Sequence, residues 1–251
     1  MRVSNGILQC LDNKKRVVQE FDCSMGSFVS FAYDENDRIS EIASGVIGGD
    51  SFVEKLTYDE KGISGSDIKF SNGDKETLIR RPNGKLTDIF EGNRTTDIYE
   101  EDSARIIMPK VIEEKSLGKV LDEGSYKYFS NENGFVYKVE DIEIGRTISI
   151  KFHDNGRFST LEYDDSSYLM LDDKGRETEE RSYYRGTYME SHFEEGLLVE
   201  RYGDNGYKEE YKDGKVVAKV YPGGFRQDLN DRGDVIRETW PDESYVDMIY
   251  D

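Results

Sequence analysis

Two cysteines, two histidines, four prolines and one tryptophan in 251 residues are few, and each shortage narrows what the chain can do. Cys10 and Cys23 form no CxxC or metal-ligand pattern. They could pair across neighbouring strands, but two thiols in a reducing cytosol are the simpler reading. His153 falls in the turn stretch "FHDNG", and His192 alternates with Tyr188 and Glu190, so a structural or solvated role is expected of both rather than acid–base work. No GxSxG, HExxH or phosphate-cradling glycine loop occurs. No apolar run approaches a membrane span, and "MRVSNGILQCLDNKKR" lacks the apolar core of a secretory signal. A soluble, cytoplasmic, non-enzymatic chain is the expectation.

Apolar residues are also scarce, at 35%, with charged residues at 35%. That balance raises disorder as a reading. The 17 Tyr and 12 Phe argue against it, because such aromatic mass suits a thin folded structure whose tyrosines bury a ring and keep the hydroxyl wet. Acidic residues outnumber basic ones 53 to 34, for a net charge of −19. A field of that sign repels nucleic acid and anionic membrane and attracts basic partners. Solubility alone is the plainer reading of the same charge.

Gly134, Gly156, Gly175, Gly196, Gly214 and Gly233 recur every 18 to 22 residues, each after polar residues as in "NENG", "HDNG", "DDKG" and "NDRG". Asp and Asn tolerate positive φ and cap turns, and Gly takes positive φ without steric cost. Each spacer holds a second turn between aromatics: "YDDSSY", "YYRGTY", "YGDNGY", "YPGGF", "WPDESY". Two turns per unit leave two runs of ordinary strand length. Val216, Ala218 and Val220 alternate, as do Phe225, Gln227 and Leu229, which argues half-buried strands and not helices. The fold class expected is all-β: a long antiparallel meander of roughly 20-residue β-hairpin repeats forming an open, twisted or spiralling sheet. Worn copies, "YDENDRI", "YDEKGI" and "RPNGKL", extend it upstream. Three regions are expected: degenerate repeats over 1–104, an irregular insert or kink over 105–133, and regular repeats over 134–251. In the insert, Pro109 either starts a short helix or belongs to a stretched pair of strands.

"FAYDENDRISEI", "LTYDEKGI" and "IKFHDNGRFSTLEYDD" resemble YD repeats, the Tyr-Asp hairpins of RHS and teneurin-type proteins. "YKDGKVVAKVYPGGF" is similar to the MORN-variant repeats of a family annotated among antitoxins. The sequence departs from the YD pattern where Asp37 stands in the glycine place, and where "FEEG" and "NDRG" lack the Tyr-Asp pair. The resemblance implies stacked hairpins with aromatic ladders and a surface that binds.

Such a surface points to an immunity or antitoxin-type protein that neutralises a basic toxin or nuclease. Glu177, Glu179, Glu180, Asp204, Glu209 and Glu210 would supply charge and Tyr184, Tyr188, Tyr202 and Tyr207 would anchor the partner. A solvated strand face is the plainer reading of these residues. The alternative is a structural or carbohydrate-binding repeat module of a larger surface or exported protein, with polysaccharide on the aromatic ladders. No cofactor is expected and no metal, since "GDNG" and "HDNG" lack the rest of a calcium loop. The strand at 245–251 could pair edge to edge into a dimer.

Overall fold

The computed structural model describes residues 1–60, 62–80, 86–90, 94–98, 109–113, 117–184 and 187–249, with the side chains of 78, 80, 86–90, 94–98 and 184 outside that description. The turn around Gly84 lies outside it too. Every regular element among the described residues is a strand. Each strand pairs antiparallel with its sequence neighbour, so the all-β meander is observed. It is divided into two sheets. The first holds ten strands, from β1 (Arg2–Ser4) to β10 (Arg94–Ile98), and the second fourteen, from β11 (Val120–Glu123) to β24 (Tyr245–Asp247). Residues 109–113 carry no helix, and β11 and β12 (Tyr126–Ser130) lie within the stretch expected to be irregular.

The two-turn unit has a physical basis in the register. Every second hairpin of the second sheet carries a β-bulge just before its turn, at Phe129/Ser130, Lys151/Phe152, Met170/Leu171, His192/Phe193, Glu210/Tyr211 and Asp228/Leu229. Three first-sheet hairpins do the same, at Cys10/Leu11, Ala32/Tyr33 and Thr57/Tyr58. A bulge adds a residue to one strand and sharpens the local twist. In five of these turns one side-chain oxygen accepts two backbone N–H groups. Asp34 Oδ1 takes those of Asn36 and Arg38, both at 2.9 Å. Asp12, Asn131, Asp172 and Asn230 repeat the arrangement. The fourth turn residue has positive φ, which Gly supplies at 134, 156, 175 and 233 and Asp37 supplies at 63°. Asp37 therefore fills a glycine place at a modest strain.

In three of these turns the fifth residue is an arginine that returns to the capping carboxylate, as Arg38 Nε does to Asp34 at 2.8 Å. In two of them the guanidinium also lies over a tyrosine of a later strand, Arg16 on Tyr33 at 4.0 Å and Arg38 on Tyr58 at 4.3 Å. Those tyrosines donate back to the Val17 and Ile39 carbonyls. Turn and ladder are thus one connected motif.

The sheets face each other across a shared dry core. Leu8, Phe21, Cys23 and Phe28 of the first pack with Tyr128, Val139, Ile148, Phe158, Leu161 and Leu169 of the second. One open sheet of this composition would leave such residues wet, and mutual coverage of two sheets removes them from water. Cys10 and Cys23 are free thiols in this core, and burial raises the Cys10 pKa to about 12. Buried polar groups fasten the sheets. Gln19 Oε1 accepts the Phe158 N–H at 2.6 Å, and Gln9 holds Lys110 O and Ile112 N, both at 2.9 Å. Arg157 donates to the carbonyls of Val18 at 3.1 Å and Phe31 at 2.9 Å.

The recurring glycines divide by what surrounds them. A Cβ on Gly175 (φ +87°) would fall 2.2 Å from Ser30 Oγ and 2.6 Å from Gln19 Nε2, whereas one on Gly134 (φ +76°) would meet nothing within 4 Å. Gly134→Ala therefore loses only the left-handed backbone preference, ~1 kcal/mol. Gly175→Ala adds overpacking between the sheets and costs in total ~3 kcal/mol. Urea unfolding of the two variants measures the difference, and equal losses would refute the seam at Gly175.

Candidate functional site

The region singled out in the sequence spans β17 (Glu177–Tyr184), β18 (Thr187–Glu194), β19 (Leu197–Gly203) and β20 (Lys208–Lys212). The structure divides its ten residues between two faces, and the Tyr184 side chain lies outside the described residues.

Glu179, Tyr188, Tyr202, Asp204 and Glu210 stand on the outward side, half-buried or exposed. There the charges form a cross-strand lattice. Arg181 bridges Glu190 at 3.0 Å and Asp204 at 2.9 Å, Arg226 binds Glu210 at 2.9 Å and Asp228 at 2.8 Å, and Lys208 pairs with Glu200 and, at 3.4 Å, with Glu210. Arg226 holds the Glu210 carboxyl below its ordinary range. Tyr188 lies under the Arg181 guanidinium at 5.1 Å and donates to Asp165 O at 2.8 Å. The Tyr202 ring stacks on His192 at 5.0 Å, and its hydroxyl meets His192 Nε2 at 2.5 Å. His153 Nε2 sits 2.8 Å from Leu171 O. Both histidines thus have structural partners.

Glu177, Glu180 and Glu209 point inward and are buried, at 5%, 3% and 7% exposure. They are closed to a docking partner in this conformation. Glu209 accepts hydroxyls from Tyr207 at 2.8 Å and Tyr211 at 2.6 Å, so Tyr207 serves an internal carboxylate. Glu180 accepts the Gly48 N–H from a turn of the first sheet. Burial, and then the neighbouring Glu180 carboxylate, push Glu177 from 4.5 up to about 8, against the opposing effect of the Ser51 hydroxyl and Arg201. Burial raises Glu180 as well, opposed by the Gly48 N–H, the Ser182 hydroxyl and Arg201. Sequence reasoning missed this interior because a strict two-residue alternation puts Glu177 and Glu180 on opposite faces. The bulge opposite Met170/Leu171 turns both inward.

No group of three or more His, Cys, Asp or Glu among the described residues is arranged to hold a metal ion. No helix among them is long and apolar enough to cross a membrane. An aromatic row runs along one line of turns, Tyr207, Tyr221, Phe225 and Trp240, with successive ring centroids 5.5, 5.7 and 5.6 Å apart. Trp240 ends the row at 39% exposure.

The sequence matches no known protein family and no curated protein. Among solved structures, one similar chain comes from the crystal structure of TcdB2-TccC3-Cdc42. The identity is 10%, the match covers 93% of this chain and 11% of that one, and the TM-score is 0.22. Another is the wild-type TCP10 domain of Danio rerio CPAP in complex with a peptide of Danio rerio STIL. There the identity is 12%, the coverage 93% and 99%, and the TM-score 0.20. Scores this low carry no conclusion about function.

The buried acid pair has a consequence for stability. Glu177 has a folded pKa raised above its unfolded value, so the native state binds the extra proton. Stability is then highest below about pH 4.5 for this group and declines as pH climbs toward about 8. The slope is ~1.4 kcal/mol per pH unit at most. Glu177→Gln should flatten the decline and raise the melting temperature at pH 8, as read by thermal unfolding from pH 5 to 9. An unchanged profile would show that Glu177 is ionised in the folded state.

Proposed function

We propose that this protein is a non-enzymatic binding scaffold, an immunity- or antitoxin-type protein that neutralises a basic toxin in the cytoplasm. The observation that supports the reading is the outward face of β17–β20. It holds Glu179, Asp204 and Glu210 beside Tyr188 and Tyr202, on a chain of net charge −19. Asp204 and Glu210 are already paired with the sheet's own cations, and such pairs in water are held by only ~0–1 kcal/mol. A partner's lysines and arginines can therefore replace Arg181 or Arg226 at small cost. The field of the whole chain speeds the encounter. Glu177, Glu180 and Glu209 support the face from behind.

A structural or carbohydrate-binding module is the second reading, and the aromatic row ending at Trp240 favours it, since exposed aromatic faces stack on sugar rings.

Affinity capture from the source lysate separates the two. The binding scaffold retains one basic protein at low salt and releases it at high salt. An Asp204→Lys, Glu210→Lys double variant weakens that retention by about tenfold or more. Retention untouched by charge reversal would refute the outward face as the binding surface. Binding to polysaccharide resin that Trp240→Ala abolishes would establish the second reading in its place.

A further inference from the structure

An acidic chain has carboxylates to spare for its lysines, yet two pairs of lysines stand directly opposite one another. Lys69 of β7 (Gly62–Phe70) faces Lys75 of β8 (Lys75–Arg80). Lys212 of β20 faces Lys215 of β21 (Lys215–Val220). Like charges in direct cross-strand register destabilise a sheet. All four are exposed, and none has an ion pair among the described residues. The cations of the outward lattice, Arg181, Lys208 and Arg226, are each paired at least twice.

Each lysine pair flanks one hairpin turn, and those two turns meet. A Cβ on Gly73 would fall 1.9 Å from Asp213 O, and one on Gly214 would fall 2.0 Å from Gly73 N. The turns therefore touch backbone to backbone, and the approach admits only glycine at both positions. Their contact brings Lys75, Lys212 and Lys215 onto one open cavity of about 910 Å³, which Asp213 and Asp231 also line. A second cavity of about 250 Å³ shares Lys75 and adds Lys69, Lys55 and Arg176, with Asp67, Glu76 and Glu195 also on its wall. Two sheets thus contribute one repulsive pair each to a single junction.

We propose that this junction binds a phosphate-bearing small molecule of nucleotide size through Lys69, Lys75, Lys212 and Lys215. The cavity has the volume of small-ligand sites, and several phosphoryl charges over a short length match the compact ammonium groups of Lys75, Lys212 and Lys215 on it, with Lys69 reached through the adjoining cavity. A long nucleic acid does not fit, because the surrounding field of the acidic chain repels an extended polyanion. The site is independent of the acidic outward face and of any partner there.

Thermal unfolding of the full chain with inorganic tripolyphosphate tests it, because a ligand bound to the native state raises the melting temperature by mass action. Tripolyphosphate should raise it in a concentration-dependent, salt-sensitive way. Citrate at equal charge should do so at least about tenfold less potently. In a Lys75→Gln, Lys215→Gln variant the shift should vanish, while the ligand-free protein melts at or above the parent because the repulsion is gone. Lys151→Gln, on an exposed lysine of β14 (Arg146–Phe152), should keep the shift. No shift in the parent, an equal shift with citrate, a shift retained by the double variant, or a ligand-free double variant melting below the parent would each overturn the proposal.

Discussion

The contact between the inner faces of the two sheets is what the rest of the structure depends on. A two-strand unit of this composition has apolar side chains enough for one face, and a meander of such units is a sheet with a wet surface on each side. Laying the first sheet over the early strands of the second encloses a cluster that runs from Val3 to Leu171. Each fully buried large side chain there contributes ~1.5–3 kcal/mol. The hairpins themselves supply little of this, since isolated two-stranded units are marginal in water.

Polar side chains set how closely the sheets approach. Gln9 and Gln19 are almost wholly buried, and each trades its amide for backbone groups that would otherwise be unpaired in the interior. A buried N–H or C=O without a partner costs ~1–3 kcal/mol, so these contacts fix register as well as distance. Arg157 has the same role at the end of a turn, where burial lowers its pKa and three carbonyls accept hydrogen bonds from its guanidinium. The second sheet can slide over the first only by breaking all of them together.

The local grammar of the chain was open to reading, and the long-range contacts were not. Turn glycines, Asp caps and aromatic flanks act over four or five residues, so "YDENDR" announces its own hairpin, even with Asp37 in the place of glycine. The partner of Gln19 is Phe158, 139 residues away, and no periodicity encodes that distance. The faces of the acidic strands were misjudged for a different reason. Alternation assigns Glu177 and Glu180 to opposite sides, and only the bulge against Leu171 puts both inside. Glu209 read as surface charge because its two tyrosine donors flank it at i ± 2, the same spacing an exposed ladder shows. The lysine pairs were in plain view as "KFSNGDK" and "KDGK". They carried no signal until the fold placed the two turns in contact.

Packing and chemistry run in opposite directions along the sandwich. At the Val3–Tyr128 end the interior is dry, and Gln9, Gln19 and Tyr128 bond backbone N–H groups there. Toward Glu177 and Glu180 the same interior holds raised-pKa carboxylates. At Gly73 and Gly214 the sheets meet through backbone alone, between pairs of like charge. Each step exchanges apolar burial for groups that fold at a cost, so local opening should be easiest at the far end. A chain built from one repeated unit can separate the two tasks in this way, because the repeat fixes only the turns and the bulge. The faces between them are free to be apolar in one unit and charged in the next.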